Sequence, residues 1–310
     1  MIKNIYCFGT SYTAGGGFEF EGFGPKRKER IHKAYKSIKE EKKQFWFSYP
    51  GRLKRLLPNM NIINHAKQGY GNERLYRKAY EVINSEGFNS DENLFIFEFS
   101  WMGRKEFWLN EANDYIIANY GFNEDNKVDD CALAQSYHYD SFETGYMVDN
   151  YHDMFVEFFK ATYDLDNQRD LIERNISMFF SFLRENQIKF IVTAEPVISW
   201  YKDIEYLHEN NLMIRYRADE NGGKHTYFLE DVISHNPWKI DDETGGVWND
   251  FHGGFYFNEI VAHLIRNKMI DLKMIEGDVI SEDELYNKFT EKFNKHKYTI
   301  EDTNFSKNIL

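Results

Sequence analysis

Little in this chain supports a cross-linked or metal-held fold. It has two cysteines, Cys7 and Cys131, far apart in sequence, which supports neither a disulfide framework nor a cysteine-based zinc site; a reducing compartment is tolerable. Apolar runs long enough for a signal peptide or a membrane span are also missing, and Met1 leads straight into a strand pattern. The expectation is a protein with no membrane partner, cytoplasmic or released without a signal peptide. Positive charge is in deficit, with 38 Lys and Arg against 50 Asp and Glu for a net charge of -12, which argues against a dedicated nucleic-acid surface. The one basic stretch, Lys26 to Lys43, is interleaved with Glu29, Glu40 and Glu41 and reads as a solvated helix or excursion. No repeat or low-complexity tract occurs. Two His and Asp groupings, His138 with Asp140 and His152 with Asp153, lack a third partner at helical ligand spacing, so neither a catalytic metal nor any other cofactor is expected.

What is present is a core-former. The chain is 42% hydrophobic and 17% aromatic over 310 residues. Short apolar runs at Ile2–Phe8, Asn61–Asn64, Asn93–Phe99 and Ile188–Ala194 alternate with helical patterns at Phe45–Leu57, Asn72–Ser85, Arg169–Asn186 and Gly253–Asn267. That alternation predicts an α/β fold, a three-layer α/β/α sandwich with a central parallel sheet, flavodoxin-like in its winding. Residues 1–275 form one domain in this reading, with an irregular insertion at 109–168, a second irregular stretch at 201–249 and a polar extension over 276–310. In such a fold ligands gather at the C-terminal ends of the strands, where Ser11, Gly69, Ser100 to Arg104, and Glu195 with Pro196 all fall.

Two segments carry candidate chemistry. Ser11 opens the small-residue turn Gly9-Thr10-Ser11-Tyr12-Thr13-Ala14-Gly15 directly after the first strand, where a hydroxyl can serve as a nucleophile or simply as a turn former or helix cap. Asp250 and His252, in Trp248-Asn249-Asp250-Phe251-His252-Gly253-Gly254, can turn toward one cleft as an oriented general base, or can be a capping Asp and a surface His.

Together with Asn64-His65-Ala66-Lys67-Gln68-Gly69-Tyr70-Gly71-Asn72, these segments resemble the blocks of the SGNH, or GDSL-like, hydrolases. The turn at Ser11 matches the first block at its glycine and serine, with Thr10 in place of the usual Asp and Tyr12 in place of Leu. Asn64 to Gly69 is similar to the second block, and Asp250 with His252 to the last. The run Gly69, Asn72, Arg74 resembles divergent members of phage and environmental-bacterial type. The resemblance covers residues 1–108 and 169–268. It implies the SGNH hydrolase fold, with Ser11 as nucleophile, His252 as general base and then acid, and Asp250 orienting His252. The backbone N–H groups of Ser11 and Gly69 would receive the oxyanion.

The chain departs from the pattern in its third block, where the family supplies an Asn and this sequence reads Phe99-Ser100-Trp101-Met102-Gly103-Arg104. Ser100 or Asn72 then becomes the candidate donor to the oxyanion hole. Asp-x-His replaces the common Asp-x-x-His spacing; Asn249 at the alternative position carries no charge, and Asp242 is an alternative carboxylate to Asp250.

Tyr12, Tyr70, Trp101, Arg104 and Glu195 are candidates for substrate contact, the aromatics by stacking on a sugar ring or as ordinary packing. Glu98, a carboxylate inside an apolar strand, needs a partner, and Arg104 is the expected one. The expected function is a serine esterase acting on a small-molecule or carbohydrate ester, foremost an O-acetyl group. The alternative is an SGNH-fold binding or assembly module with impaired catalysis, associated with a virion or polysaccharide. A nucleotide-binding flavodoxin-like protein ranks below both, because Gly15-Gly16-Gly17 has no Lys-Ser/Thr partner. Nothing in the sequence speaks to oligomeric state.

Overall fold

The computed structural model describes residues 1–14, 45, 48–67, 70–100, 103–109, 114–123, 125, 127–133, 153–194, 213–214, 255–285, 287–288 and 291, with the backbone alone at 11–12, 109, 114, 116, 119–122, 129–133, 194, 213–214 and 255–257. The chain is α/β with an all-parallel central sheet. Its strands are β1 (Asn4–Phe8), β2 (Asn61–Asn64), β3 (Asn93–Phe99), then β7 (Lys189–Ala194) and the two-residue β8 (Met213–Ile214), in the order β2-β1-β3-β7-β8. Every pairing in it is parallel. The four expected strands are there, and β8 is an addition inside the stretch read as irregular.

Register decides which residues share a face. Ile5 lies beside Ile62 and Leu94, and Cys7 beside Ile96, while Phe8 lies beside Phe97, which in turn lies beside Val192. Because side chains alternate across a strand, Ile5, Cys7, Leu94, Ile96 and Ile191 build one core, and Phe8, Phe95, Phe97, Phe99, Phe190 and Val192 build the other. β3 is buried along its whole length, as a central parallel strand with two covered faces must be.

Helices cover both cores. On the aliphatic side pack α2 (Tyr49–Leu56), through Tyr49 and Leu53, and α5 (Phe255–Asp271), through Ile260, Val261, Ala262, Leu264, Ile265 and Met269. On the aromatic side pack α3 (Asn72–Ile83), through Leu75, Ala79 and Val82, and α4 (Leu165–Glu185), through Ile172, Ile176, Phe180 and Leu183. The four-residue α1 (Ser11–Ala14) follows β1. Each long helix matches an expected helical pattern, with α4 starting four residues ahead of the expected Arg169, at Leu165. Its start is set by Asp164, whose carboxylate accepts from the Asn167 N–H at 2.9 Å.

The helix α2 has a cap supplied from elsewhere. Ser48 precedes it without capping it, and the Tyr49 N–H instead donates to Asn258 Oδ1 of α5 at 2.8 Å. Buried Arg52 of α2 also meets Glu259 of α5 at 3.3 Å. The two helices are therefore joined by specific polar contacts as well as by apolar packing.

The stretch expected to be an irregular insertion is ordered in part. A three-stranded antiparallel sheet, β4 (Arg104–Leu109), β5 (Asp114–Phe122) and β6 (Val128–Leu133), begins five residues after the end of β3, and a helical segment covers residues 153–162. Asn123 closes the β5–β6 hairpin, its side-chain oxygen accepting from the N–H groups of Asp125 and Lys127, each at 3.0 Å. This sheet rests on α3: Arg77 reaches Glu106 at 3.0 Å and Lys105 reaches Glu73 at 2.9 Å. Gly71, which caps α3, would as alanine place a Cβ 2.8 Å from the Arg104 carbonyl oxygen, so the close approach of α3 to β4 requires glycine there.

Candidate functional site

The turn after β1 is held by a buried carboxylate. Glu98, 2% exposed at the C-terminal end of β3, accepts from the Thr10 hydroxyl at 2.7 Å, from the Thr13 N–H at 2.6 Å and from the Thr13 hydroxyl. A carboxylate out of water needs such donors, and hydrogen bonds to a charged group contribute about 1.5–3 kcal/mol each. The Thr13 and Tyr49 hydroxyls share a further hydrogen bond of 3.1 Å. The Ala14 N–H donates to the Thr10 carbonyl at 2.8 Å and closes the single turn of α1. Ser11 opens that turn, between the two threonines that Glu98 clamps. Gly9 lies so close to this clamp that a Cβ there would come within 2.9 Å of Glu98 Oε2 and collide with the Thr13 side chain.

The Arg104 partner expected for Glu98 is replaced by Thr10 and Thr13. The parity of β3 explains it: Glu98 shares the face of Leu94 and Ile96, toward α1 and α2, whereas Arg104 opens β4 and its Nη1 donates to Ser100 Oγ at 3.1 Å.

The end of β2 is stitched to the same turn. The His65 N–H donates to the Cys7 carbonyl at 2.8 Å and the Lys67 N–H to the Gly9 carbonyl at 3.3 Å, so the chain past β2 continues alongside the end of β1. Asn64 Nδ2 donates to the Thr13 carbonyl at 2.9 Å, while its Oδ1 accepts from the Ala66 N–H at 3.0 Å. One amide thus fixes both loops that carry the first two sequence blocks.

A second amide ties α3 to the end of β3. Asn72 Oδ1 accepts from the Ser100 N–H at 2.7 Å and its Nδ2 faces the Ser100 carbonyl at 3.4 Å. Both ends of the Asn72 amide therefore engage the Ser100 backbone. Tyr70 is buried, 5% exposed and packed with Ile117 of β5, with Lys67 Nζ 5.0 Å and the Arg74 guanidinium 4.8 Å from its ring centroid. Of stacking on a sugar ring and ordinary packing, the burial fits packing; cation–aromatic contact and the antiparallel sheet cover the ring.

Electrostatics sorts the ionisable groups nearby. Burial, helped by Lys78 and Arg74, pushes the His65 pKa down and favours its neutral form; its ring stacks on Tyr6 and Phe8, a packing role. Burial likewise raises the Cys7 thiol far out of the nucleophilic range. Glu106, with a side chain 1% exposed, is pushed up to about 7 by burial, against the pull of Arg77 and Arg74.

Of the residues singled out in the sequence, Ser11, Tyr70, Asn72, Ser100 and Arg104 come together around the C-terminal ends of β1, β2 and β3. Gly69, Trp101, Glu195, Asp242, Asn249, Asp250 and His252 lie outside the described residues, as do the basic stretch 26–43 and His138, Asp140 and His152. Glu98, Thr10, Thr13 and the amide of Asn64 are the positioning groups that sequence reasoning did not assign. Among the described residues, no group of three or more His, Cys, Asp or Glu is placed to hold a metal ion, and no helix is long and apolar enough to cross a membrane. Comparison with protein-family models, curated proteins and solved structures finds no match.

Proposed function

We propose that this chain is a serine esterase of the SGNH type, built as a three-layer α/β/α sandwich and acting on a small-molecule or carbohydrate ester, foremost an O-acetylated sugar. The observation that carries the proposal is the clamp on Ser11. A buried carboxylate from β3 and an amide from β2 immobilise the one-turn helix that Ser11 opens, at the strand ends where such folds bind ligands. Further support comes from the start of α5. Asn258, in its first turn, bonds the Tyr49 N–H, and the Tyr49 hydroxyl reaches Thr13, so the segment just after His252 leads to the Ser11 turn through two hydrogen bonds.

In this mechanism Ser11 Oγ attacks the ester carbonyl as its proton passes to His252, with Asp250 orienting the imidazole. The carbonyl oxygen, now negative, is received by the N–H groups of Ser11 and Gly69, each preorganised donor lowering the barrier by about 3 kcal/mol. His252 returns the proton to the departing alcohol. Water then adds to the acyl-Ser11, again with His252 as base, and releases the acid and the free serine.

A screen of acetylated sugars and short aryl esters tests the proposal: wild type hydrolyses at least one, Ser11→Ala does not, and equal turnover by the two proteins contradicts it.

One observation favours a second reading, a binding or assembly module that keeps the fold with impaired hydrolysis. The Asn72 amide, the nearest replacement for the family's third-block Asn, is turned onto the Ser100 backbone. Ester screening with tight carbohydrate binding and no turnover selects that reading.

A further inference from the structure

Tyr49 opens α2 and is buried in the aliphatic core that holds Cys7, Ile96 and Ile260. Phenylalanine carries the same ring without a polar atom to bury, so what tyrosine adds at this place is a hydrogen bond. The direction of that bond follows from Glu98. Thr13 has one hydroxyl proton and two neighbours for it, Glu98 Oε2 and the Tyr49 hydroxyl at 3.1 Å. A carboxylate only accepts, so the Thr13 proton goes to Glu98 and the Thr13 oxygen accepts from Tyr49. The chain runs from the Tyr49 hydroxyl through the Thr13 hydroxyl to Glu98, and each link polarises the next. Thr13 lies two residues past Ser11 in the single turn of α1, which the Ala14 N–H closes on the Thr10 carbonyl at 2.8 Å.

The main chain of Tyr49 works in the other direction. As the first residue of α2 it has an N–H with no acceptor inside its own helix, and that N–H donates to Asn258 Oδ1 at 2.8 Å. Asn258 is buried in the first turn of α5, and Glu259 beside it meets Arg52 at 3.3 Å and Arg55 at 3.6 Å further along α2. α5 begins three residues after His252 in the sequence. One residue thus holds the turn of Ser11 with its side chain and the start of α5 with its main chain.

We propose that Tyr49 is a positioning residue for the reaction at Ser11: it ties the turn that presents the nucleophile to the helix that follows the general base. The kinetic half of this statement rests on the esterase reading; the mechanical link from the turn to α5 does not. Proton transfer needs Ser11 and His252 within hydrogen-bond reach and ester binding does not, so loss of the link falls on kcat rather than on KM.

Tyr49→Phe removes the hydroxyl and keeps the ring and the N–H. On the ester that wild type turns over in the screen of acetylated sugars and aryl esters, it is expected to lower kcat about tenfold with KM within about twofold of wild type. Thr13→Val is expected to lose at least as much and Thr13→Ser to retain most of the rate, which tests the link from its other end should Tyr49→Phe fail to fold. Ile265→Val, a buried change in α5 outside the chain of hydrogen bonds, lowers Tm and leaves kcat at the wild-type value. Tyr49→Phe combined with Asn258→Ala loses less than the product of the two single losses, because either cut breaks the same link. A further measurement needs no turnover: amide hydrogen exchange at Thr13 and Ala14 quickens about tenfold in Tyr49→Phe and not in Ile265→Val. If no ester is cleaved while this exchange difference holds, the link stands and the esterase reading falls. Cleavage with wild-type kcat in Tyr49→Phe, with a loss of kcat but no faster exchange, or with single losses that multiply in the double variant, overturns the positioning role and leaves the esterase. No cleavage and no exchange difference overturn both.

Discussion

The two faces of the central sheet are made by the same strands and differ in almost every respect. On one, rings pack on rings: Phe8 lies 5.1 Å from Phe95 and from Phe97, and Phe180 lies 4.9 Å from Phe190. On the other, Ile5, Leu94, Ile96 and Ile191 meet the aliphatic stripe of α5, and at the strand ends this apolar packing gives way to Glu98, Thr13 and Tyr49. The contrast teaches that the Ser11 turn is held from one side. The aromatic face supplies rigidity, and the aliphatic face supplies the polar clamp that fixes the Ser11 turn. Polar contact on the aromatic side comes from the Asn72 amide on the Ser100 backbone and, one layer out, from Glu73, Arg77, Lys105 and Glu106 where α3 meets the antiparallel sheet.

Substitutions can break this contrast in order of size. Phe97→Ala removes a fully buried ring from the aromatic core and is expected to cost about 3–5 kcal/mol in chemical denaturation. The sequence of folding loss is then general: activity disappears with the fold and not before it. Glu106 comes next. Its pKa rises from 4.5 when unfolded to about 7 when folded, so the folded state keeps a proton that the unfolded state gives up. Its contribution to stability is full below pH 4.5 and is lost as pH rises to about 7, an effect of order 3 kcal/mol. The groups facing it are Arg77, Arg74 and Glu73. Glu106→Gln is expected to remove this falling limb when denaturation is followed from pH 4.5 to pH 8, and an unchanged profile contradicts the assignment.

Glu98→Gln acts on the other face and differently. It keeps one acceptor and loses the charge, for about 2 kcal/mol of stability, yet it loosens the Ser11 turn and so lowers kcat/KM by at least about tenfold. Loss of stability without that kinetic effect would erase the distinction drawn between the faces. Asn64→Ala is the smallest, about 1 kcal/mol, with a modest loss of esterase rate as the second loop comes free of the first. Both are read from denaturation and steady-state kinetics on the same preparation.

Much of this frame was legible in the sequence, because apolar runs of parallel-strand length separated by helical periodicity leave few alternatives. β2 and β3 lie where those runs do, α3 begins with its patterned stretch and ends at Ile83, and α5 runs from Phe255 four residues past the expected Asn267. The antiparallel sheet was not legible. β4 and β5 mix charged, aromatic and amide residues because they lie partly on α3 and partly toward solvent, which blurs the alternation that marks a strand. Glu98 was recognised as needing a partner, and strand parity alone would have sent it to the face of Cys7 and Ile96, away from Arg104. Its true partners depend on a turn of four residues whose geometry no periodicity reports. Tyr70 takes the packing alternative that the sequence left open beside stacking, and the reason lies outside its own segment: it packs with Ile117, which lies on the unrecognised sheet.

The central claim is that Ser11 is an activated nucleophile, and a fluorophosphonate probe addresses it without knowledge of the natural ester. Incubation followed by peptide mapping is expected to place a single adduct on Ser11, with none formed on Ser11→Ala and slow formation on His252→Ala. An adduct that persists in folded Ser11→Ala, or a folded wild-type protein that takes up no probe, contradicts the account.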